Sequence, residues 1–233
     1  MGRWTPWCAQ LDRFTEHMST VARRVVLVAF AAAAAGVAYR AGRRVQLRFG
    51  AAPEEEHGTL PGDDLVPDAD LVATRAITID APPAAVWPWI AQIGQGRGGF
   101  YSYDVLENLA GCEIHSSDHV VSAWQDVAVG DMVRLHPQLG LPVAVVTPHE
   151  ALVLHGAAPV DDDGPVPFDF VWAFALRSLP GGRTRLVVRE RYAYRTSWAG
   201  RMVEPVSWLS FLMTERMLRG IRDRAERYAG TPR

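Results

Sequence analysis

The sequence predicts an α+β domain from Leu71 onward that closes on a long helix and is preceded by an apolar N-terminal helix. Three observations carry this. Phe168, Phe170, Trp172, Phe174 and Leu176 alternate at period two, the mark of a strand with one bulky face. Val206, Leu209, Met213, Met217 and Ile221 recur at three and four, one apolar stripe along a helix. Val25–Tyr39 is uncharged, alanine-rich and flanked by arginines.

The apolar run divides the chain into a tail over 1–24, a membrane or signal helix over 25–42, a linker over 43–70 and a domain over 71–229. As a helix, Val25–Tyr39 spans ~22 Å against ~30 Å of hydrocarbon. Snorkelling by Arg24 and Arg40 lengthens that reach, which fits a single-pass anchor. The run also fits a signal-peptide core with small-residue cleavage sites over Ala31–Gly36 and export after cleavage. Arg23-Arg24 ahead of Val25-Val26-Leu27 loosely resembles a twin-arginine signal. A buried alanine-rich helix of the domain is the third reading. Orientation stays open, because Arg3, Arg13, Arg23 and Arg24 are balanced by Arg40, Arg43, Arg44 and Arg48. Ala51–Asp70, rich in Pro, Gly, Asp and Glu, buries too little apolar surface to offset its ordering entropy and reads as a spacer.

Within the domain, Leu71–Asp80 is a strand. Pro82-Pro83 opens a short helix over Ala84–Ile93, since a first-turn proline lacks only an N–H that would go unbonded anyway. Gly94–Gly99 breaks the chain, and Tyr101–Ala110 forms a second short helix before Gly111. Strands follow at Met132–His136, Pro142–Thr147 and Ala151–His155, the last two joined through Pro148-His149-Glu150. The acidic insert Asp161–Gly164 reads as a solvated loop. Phe168–Leu176 turns at Pro180-Gly181-Gly182 into its partner Thr184–Tyr194, and Glu204–Tyr228 is the closing helix with Pro205 in its first turn. Arg216, Arg219, Arg222 and Arg227 lie largely outside its stripe, as a solvated face or an anionic-membrane contact.

Composition excludes some classes. The net charge is −2, so nothing points to nucleic acid. All 24 basic residues are arginine, which reads as genomic bias. Cys8 and Cys112 fall on opposite sides of the apolar run, against a disulfide framework. The histidines lack metal-ligand spacing, and no cofactor is implied. Gly94–Gly99 has the look of a phosphate loop, but a helix precedes it and no Lys-Ser/Thr follows; it reads as a tight turn between helices.

The order strand, two short helices, antiparallel meander, long helix resembles the SRPBCC superfamily of START-like, Bet v 1-like helix-grip domains, which includes polyketide cyclase-like proteins. The residues that carry the resemblance are Arg75-Ala-Ile-Thr-Ile-Asp-Ala-Pro-Pro-Ala-Ala-Val-Trp87, and Gln92-Ile-Gly-Gln-Gly-Arg-Gly-Gly-Phe-Tyr-Ser-Tyr103 running into Asp104-Val-Leu-Glu-Asn108. The second block looks like an uncharacterised subgroup. The resemblance covers Leu71–Tyr228. It implies a curved, seven-stranded antiparallel sheet gripping the C-terminal helix, with a cavity between them for a small apolar molecule or lipid. Six strands are countable, which leaves the seventh to Ser116–Val129. The resemblance carries no catalytic residue and no oligomeric state.

Trp89, Phe170, Trp172, Phe174, Met213 and Met217 are the expected cavity wall. Tyr101, Tyr103, Asp104 and Glu107 cluster on the second helix, where Tyr103 and Glu107, four apart, share a face and either present a hydroxyl and a carboxylate at the cavity mouth or serve local capping and packing. Glu190 shares a strand face with Leu186, Val188 and Tyr192. There it is either a carboxylate of raised pKa for acid–base work, with His155 as a candidate partner, or the mate of an arginine, Arg75 or Arg134. Three functions follow: a membrane-held binder of a hydrophobic ligand, a cyclase- or dehydratase-like enzyme using Glu190, or a non-catalytic structural or partner-binding module.

Overall fold

The computed structural model describes residues 6–109, 111–156 and 167–230, with side chains from Thr20 onward except Val21. Arg3, Ala110, the insert Asp161–Gly164 and the side chains of Cys8 and Arg13 lie outside the described residues. The chain forms two compact units, Met1–Val45 and Gln46–Arg233.

The first unit is helix α1 (Pro6–Arg48), which runs on into the second. Within it Ala22–Arg48 is long and apolar enough to cross a membrane, as a signal sequence also would be. Every residue from Ala22 to Tyr39 is exposed, so the buried-helix reading is corrected. The run lengthens because Arg40–Arg48 continue the same helix beyond the apolar stretch.

The second unit is α+β. Its elements are α2 (Pro53–His57), β1 (Leu71–Ile79), α3 (Pro83–Ala91), α4 (Asp104–Leu109), β2 (Met132–His136), β3 (Leu139–Thr147), β4 (Ala151–His155), β5 (Phe168–Leu179), β6 (Arg183–Tyr194) and α5 (Ala199–Ala229). The strands make one curved antiparallel sheet in the order β1-β6-β5-β4-β3-β2. Register puts Trp172 opposite Glu190, Phe174 opposite Val188 and Leu152 opposite Phe174, all on the inner face. Helices α3 and α5 pack there, α5 against β1 and β6. Shifts of register in β2–β3 and β3–β4 bend that end of the sheet. Ser116–Val129 holds a 3₁₀ turn at Ser122–Trp124 and no strand, so the sheet has six strands among the described residues rather than seven.

Gly94–Gly99 is the expected turn: Gly94 and Gly99 exchange both backbone hydrogen bonds, and Gln95 N–H donates to the Arg134 carbonyl on β2. Helix α5 starts five residues before the expected Glu204, which places Pro205 in the helix interior and not in its first turn. At Gly220 an added Cβ would stand 2.1 Å from the Tyr101 carbonyl oxygen, so only glycine lets α5 approach the segment ahead of α4.

The segment read as a linker is packed structure. Leu60 and Val66 are buried against the sheet's outer face, and Gly62 lies where a Cβ would meet Val153 at 2.5 Å. Arg189, itself buried, donates to the Glu55, Glu56 and Gly58 carbonyls and to Asp63. Arg185 forks onto Glu55, whose carboxyl it holds below the ordinary range, and Arg191 binds the Val66 and Pro67 carbonyls. The segment's ordering entropy is offset by charge-assisted hydrogen bonds to outer-face arginines of β6 as well as by the two apolar anchors. An apolar count over Ala51–Asp70 misses that contribution.

Candidate functional site

Between the inner face and α5 lies a cavity of about 390 Å³, within the range of ligand pockets. Its floor is Phe170 and Trp172 of β5 with Glu190 and Tyr192 of β6. Its roof is α5, through Val206, Leu209, Ser210, Met213, Thr214 and Met217. Phe100, Ser102, Glu107 and Cys112 close one side, and Leu135, His136 and Leu139 of the β2–β3 hairpin close another. Val206 and Leu209 are 50% and 54% exposed, so the mouth opens beside the first half of α5. The lining is dominated by carbon, with two carboxyl groups set into it.

Glu190 is one of them. Its Oε1 accepts from Arg75 Nη1 at 2.8 Å, Ser210 Oγ at 2.7 Å and Thr214 Oγ1 at 3.0 Å. Arg75 is fully buried, and its Nε donates to the Gln46 carbonyl at 3.0 Å. Glu190 Oε2, Arg75 Nη2 and Trp172 Nε1 have no hydrogen-bond partner among the described residues. Glu190 and Trp172 therefore carry unmet hydrogen-bonding capacity at the cavity wall itself. Such groups are costly to bury unless a ligand or water meets them. Beside the Arg75–Glu190 pair, burial and then the charge of Glu190 keep the Tyr192 hydroxyl protonated far above its ordinary range.

Glu107, on α4, is the second carboxyl. Burial, reinforced by Asp104, pushes its pKa from the ordinary 4.5 up to about 7. The Cys112 thiol, on the same wall, is likewise pushed up by burial and by Glu107. Glu107 thus holds a proton in the folded protein that it loses in the unfolded chain. Stability falls as pH rises from about 4.5 to about 7 and stays lower above that. Removing the charge at Glu107→Gln is expected to stabilise the protein at pH 8 by ~1–3 kcal/mol and to leave pH 4 unchanged. Denaturant titrations at the two pH values check this; a gain equal at both would mean that packing, not titration, is responsible.

Of the expected residues, the cavity brings together Glu107, Phe170, Trp172, Glu190, Met213 and Met217. Phe174 is on the same face but deeper, wholly buried and 4.8 Å ring to ring from Trp172. Trp89 and Tyr101 pack on each other at 5.9 Å, outside the cavity wall, with Arg224 over the Tyr101 ring at 4.9 Å. Tyr101 has φ 57°, which turns the chain just ahead of α4 and separates it from Tyr103. Tyr103 precedes α4 and is exposed while Glu107 is buried, so the two do not act as one pair at the mouth. His155 sits opposite Val171, on the outer face, and bonds Asp169 Oδ1 at 2.9 Å. Period two decides this: Leu152 and Leu154 point inward, so His155 cannot. Of the two arginines considered for Glu190, Arg75 is the partner. Arg134 is exposed on β2, four sheet positions from β6, which carries Glu190. Sequence reasoning missed Ser210 and Thr214, although their spacing of four puts them on one helix face. It also missed Phe100, Ser102, Leu135, His136 and Leu139, which no local pattern marks.

The fold and cavity together define an α+β helix-grip protein with an apolar pocket. No family model matches the chain, and no curated protein matches it. Among solved structures it is similar to the protein CV1439 of Chromobacterium violaceum, at 13% identity over 66% of this chain and 96% of that one, with a TM-score of 0.41. It is also similar to CalU16 of Micromonospora echinospora, at 15% identity over 68% and 85% with a TM-score of 0.31. Aha1 of Colwellia psychrerythraea follows at 14% identity over 69% and 99% with a TM-score of 0.37.

Proposed function

We propose that this protein binds a small hydrophobic molecule or lipid in the cavity between the sheet and α5, and does so while held at a membrane by α1. The observation that carries the reading is the cavity itself: about 390 Å³, walled by Phe170, Trp172, Met213 and Met217, with the Arg75–Glu190 pair at its wall. A packed core leaves no such volume. The ligand this geometry favours is amphipathic. Its apolar body lies along the aromatic floor, and a hydroxyl or amine donates to the unmet Glu190 Oε2. The membrane setting is supported by the length and apolarity of Ala22–Arg48. Binding is favoured over catalysis because Glu190 Oε1 is engaged three ways and the candidate partner His155 faces away.

Native mass spectrometry of the full chain, extracted from its own membranes, tests this. The expected result is a non-covalent adduct of lipid mass that is lost in Met213→Trp, which fills the cavity. A parent protein that carries no adduct, and takes up none when offered a total lipid extract of its host, would sink the reading. Alkaline carbonate washing checks the anchor separately: an anchored chain stays in the pellet.

A further inference from the structure

The two helices that contribute to the cavity wall, α4 and α5, carry exposed apolar side chains. On α4, Val105 and Leu109 are 74% and 80% exposed, and Leu106 is also exposed. On α5, Met202, Val206 and Leu209 lie along one exposed stripe at spacings of four and three. The two helices border one opening: Glu107 of α4 and Val206 and Leu209 of α5 line the same cavity, and Ser102 Oγ, just ahead of α4, donates to the Met213 carbonyl of α5. Val206 and Leu209 line the cavity itself, and Val105, Leu106, Leu109 and Met202 are further exposed apolar groups on the same two helices, more than the scattered exposure expected of an ordinary surface.

Two features say what covers them. The first is charge. Arg201 and Arg216 flank the α5 stripe and make no ion pair among the described residues, whereas Arg219 is taken by Glu215 and Arg224 by Asp118. An apolar helix face edged by unpaired arginines matches the boundary of an anionic bilayer. The second is where the chain enters the domain. Gln46 Nε2 donates to the Ser207 carbonyl at 2.7 Å, and the Phe49 ring stacks edge-on to Phe211 at 5.8 Å. The point of entry is thus fastened to α5 next to Val206, Leu209 and Ser210. Only six residues, Arg40 to Val45, separate the apolar run Val25–Tyr39 from Gln46. As helix they span ~9 Å. A chain anchored through that run therefore enters the domain, six residues along, at a point bonded to this stretch of α5.

We propose that the rim formed by Val105, Leu106 and Leu109 of α4 with Met202, Val206 and Leu209 of α5 docks on an anionic lipid surface, so that the cavity opens into the bilayer. This rests on the reading of α1 as an anchor and of the cavity as a ligand site. It adds the face through which a ligand passes between bilayer and cavity, without crossing water.

The test places an environment-sensitive NBD fluorophore on single cysteines of the full chain, in a Cys8→Ser, Cys112→Ala background. Leu209→Cys and Leu109→Cys report the rim, and Ser178→Cys, exposed near the end of β5, is the control. The protein is reconstituted into vesicles of phosphatidylcholine and phosphatidylglycerol. The expected result is blue-shifted emission and quenching by doxyl-labelled lipid at 209 and 109, with neither at 178. Arg201→Glu and Arg216→Glu are each expected to lower the docked fraction about fivefold at low salt, and neutral vesicles to show the same loss. If labels at 209 and 109 remain as open to iodide as the one at 178, the proposal is overturned. A shift that appears without lipid and grows with protein concentration also overturns it, and identifies a second copy as the occupant. If carbonate releases the chain while added vesicles still shift the rim labels, the anchor reading fails and the docking surface stands.

Discussion

Arg75→Met is expected to lower the stability of the folded domain by ~3–5 kcal/mol, the cost of leaving one partner of a buried ion pair alone. Arg75 is wholly buried on β1 opposite Val188, and Glu190, diagonally across from it on β6 and opposite Ala73, is 2% exposed. Without the guanidinium, Glu190 keeps only Ser210 and Thr214 as donors, and the Gln46 carbonyl loses its bond from Nε. The pair is therefore held together by the penalty of breaking it, not by a large net gain on forming it. Replacing both members, Arg75→Met with Glu190→Leu, is expected to recover most of the loss, because two neutral side chains of similar volume carry no desolvation penalty. Chemical denaturation of the detergent-solubilised chain measures both. A double variant as unstable as the single one would show that the pair's hydrogen bonds to α5 matter more than its charges. The double variant should also bind its ligand poorly despite being folded, if Glu190 Oε2 receives the ligand's polar end.

Arg189→Met is expected to cost a similar ~3–5 kcal/mol, by a different route. Arg189 is the clasp between the sheet's outer face and the segment after α1: it binds three backbone carbonyls, Asp63 and Thr74 from a buried position. Removing it leaves those carbonyls and the Asp63 carboxylate short of a donor at once. For a domain of this size the loss corresponds to a fall in Tm of ~6–20 °C. The fall should be accompanied by new protease cutting between Gly50 and Asp70, since that segment loses its main attachment. A variant that melts early but resists cutting there would place the damage in the sheet instead.

The sequence was legible where local periodicity and burial coincide. Alternation located β5 and β6 and put Phe170, Trp172 and Glu190 on one face, as observed. The stripe on α5 located the helix, because a long amphipathic element announces itself over many turns. The α+β order and the apolar leading helix were likewise written in the chain. Illegibility had two causes. Ala51–Asp70 looked unfolded because its stabilisation comes from Arg185, Arg189 and Arg191, over a hundred residues away. His155 looked like a partner for Glu190 because sequence proximity to an inner strand does not fix its side; one position along β4 reverses the face.

What the sequence alone determined is the kind of parts: which segments are strands and helices, which faces are apolar, and that a membrane-competent helix precedes the domain. What only the tertiary structure decided is how the charges inside and around those parts are matched. Arg75 rather than Arg134 meets Glu190, and Glu107 is buried while Tyr103 is not. The packing of α5 is also what leaves two of the five residues of its apolar stripe, Val206 and Leu209, open at the cavity mouth. The physical reason is range. Backbone geometry and hydrophobic periodicity act between near neighbours along the chain, whereas pairing and desolvation depend on groups that only folding brings together.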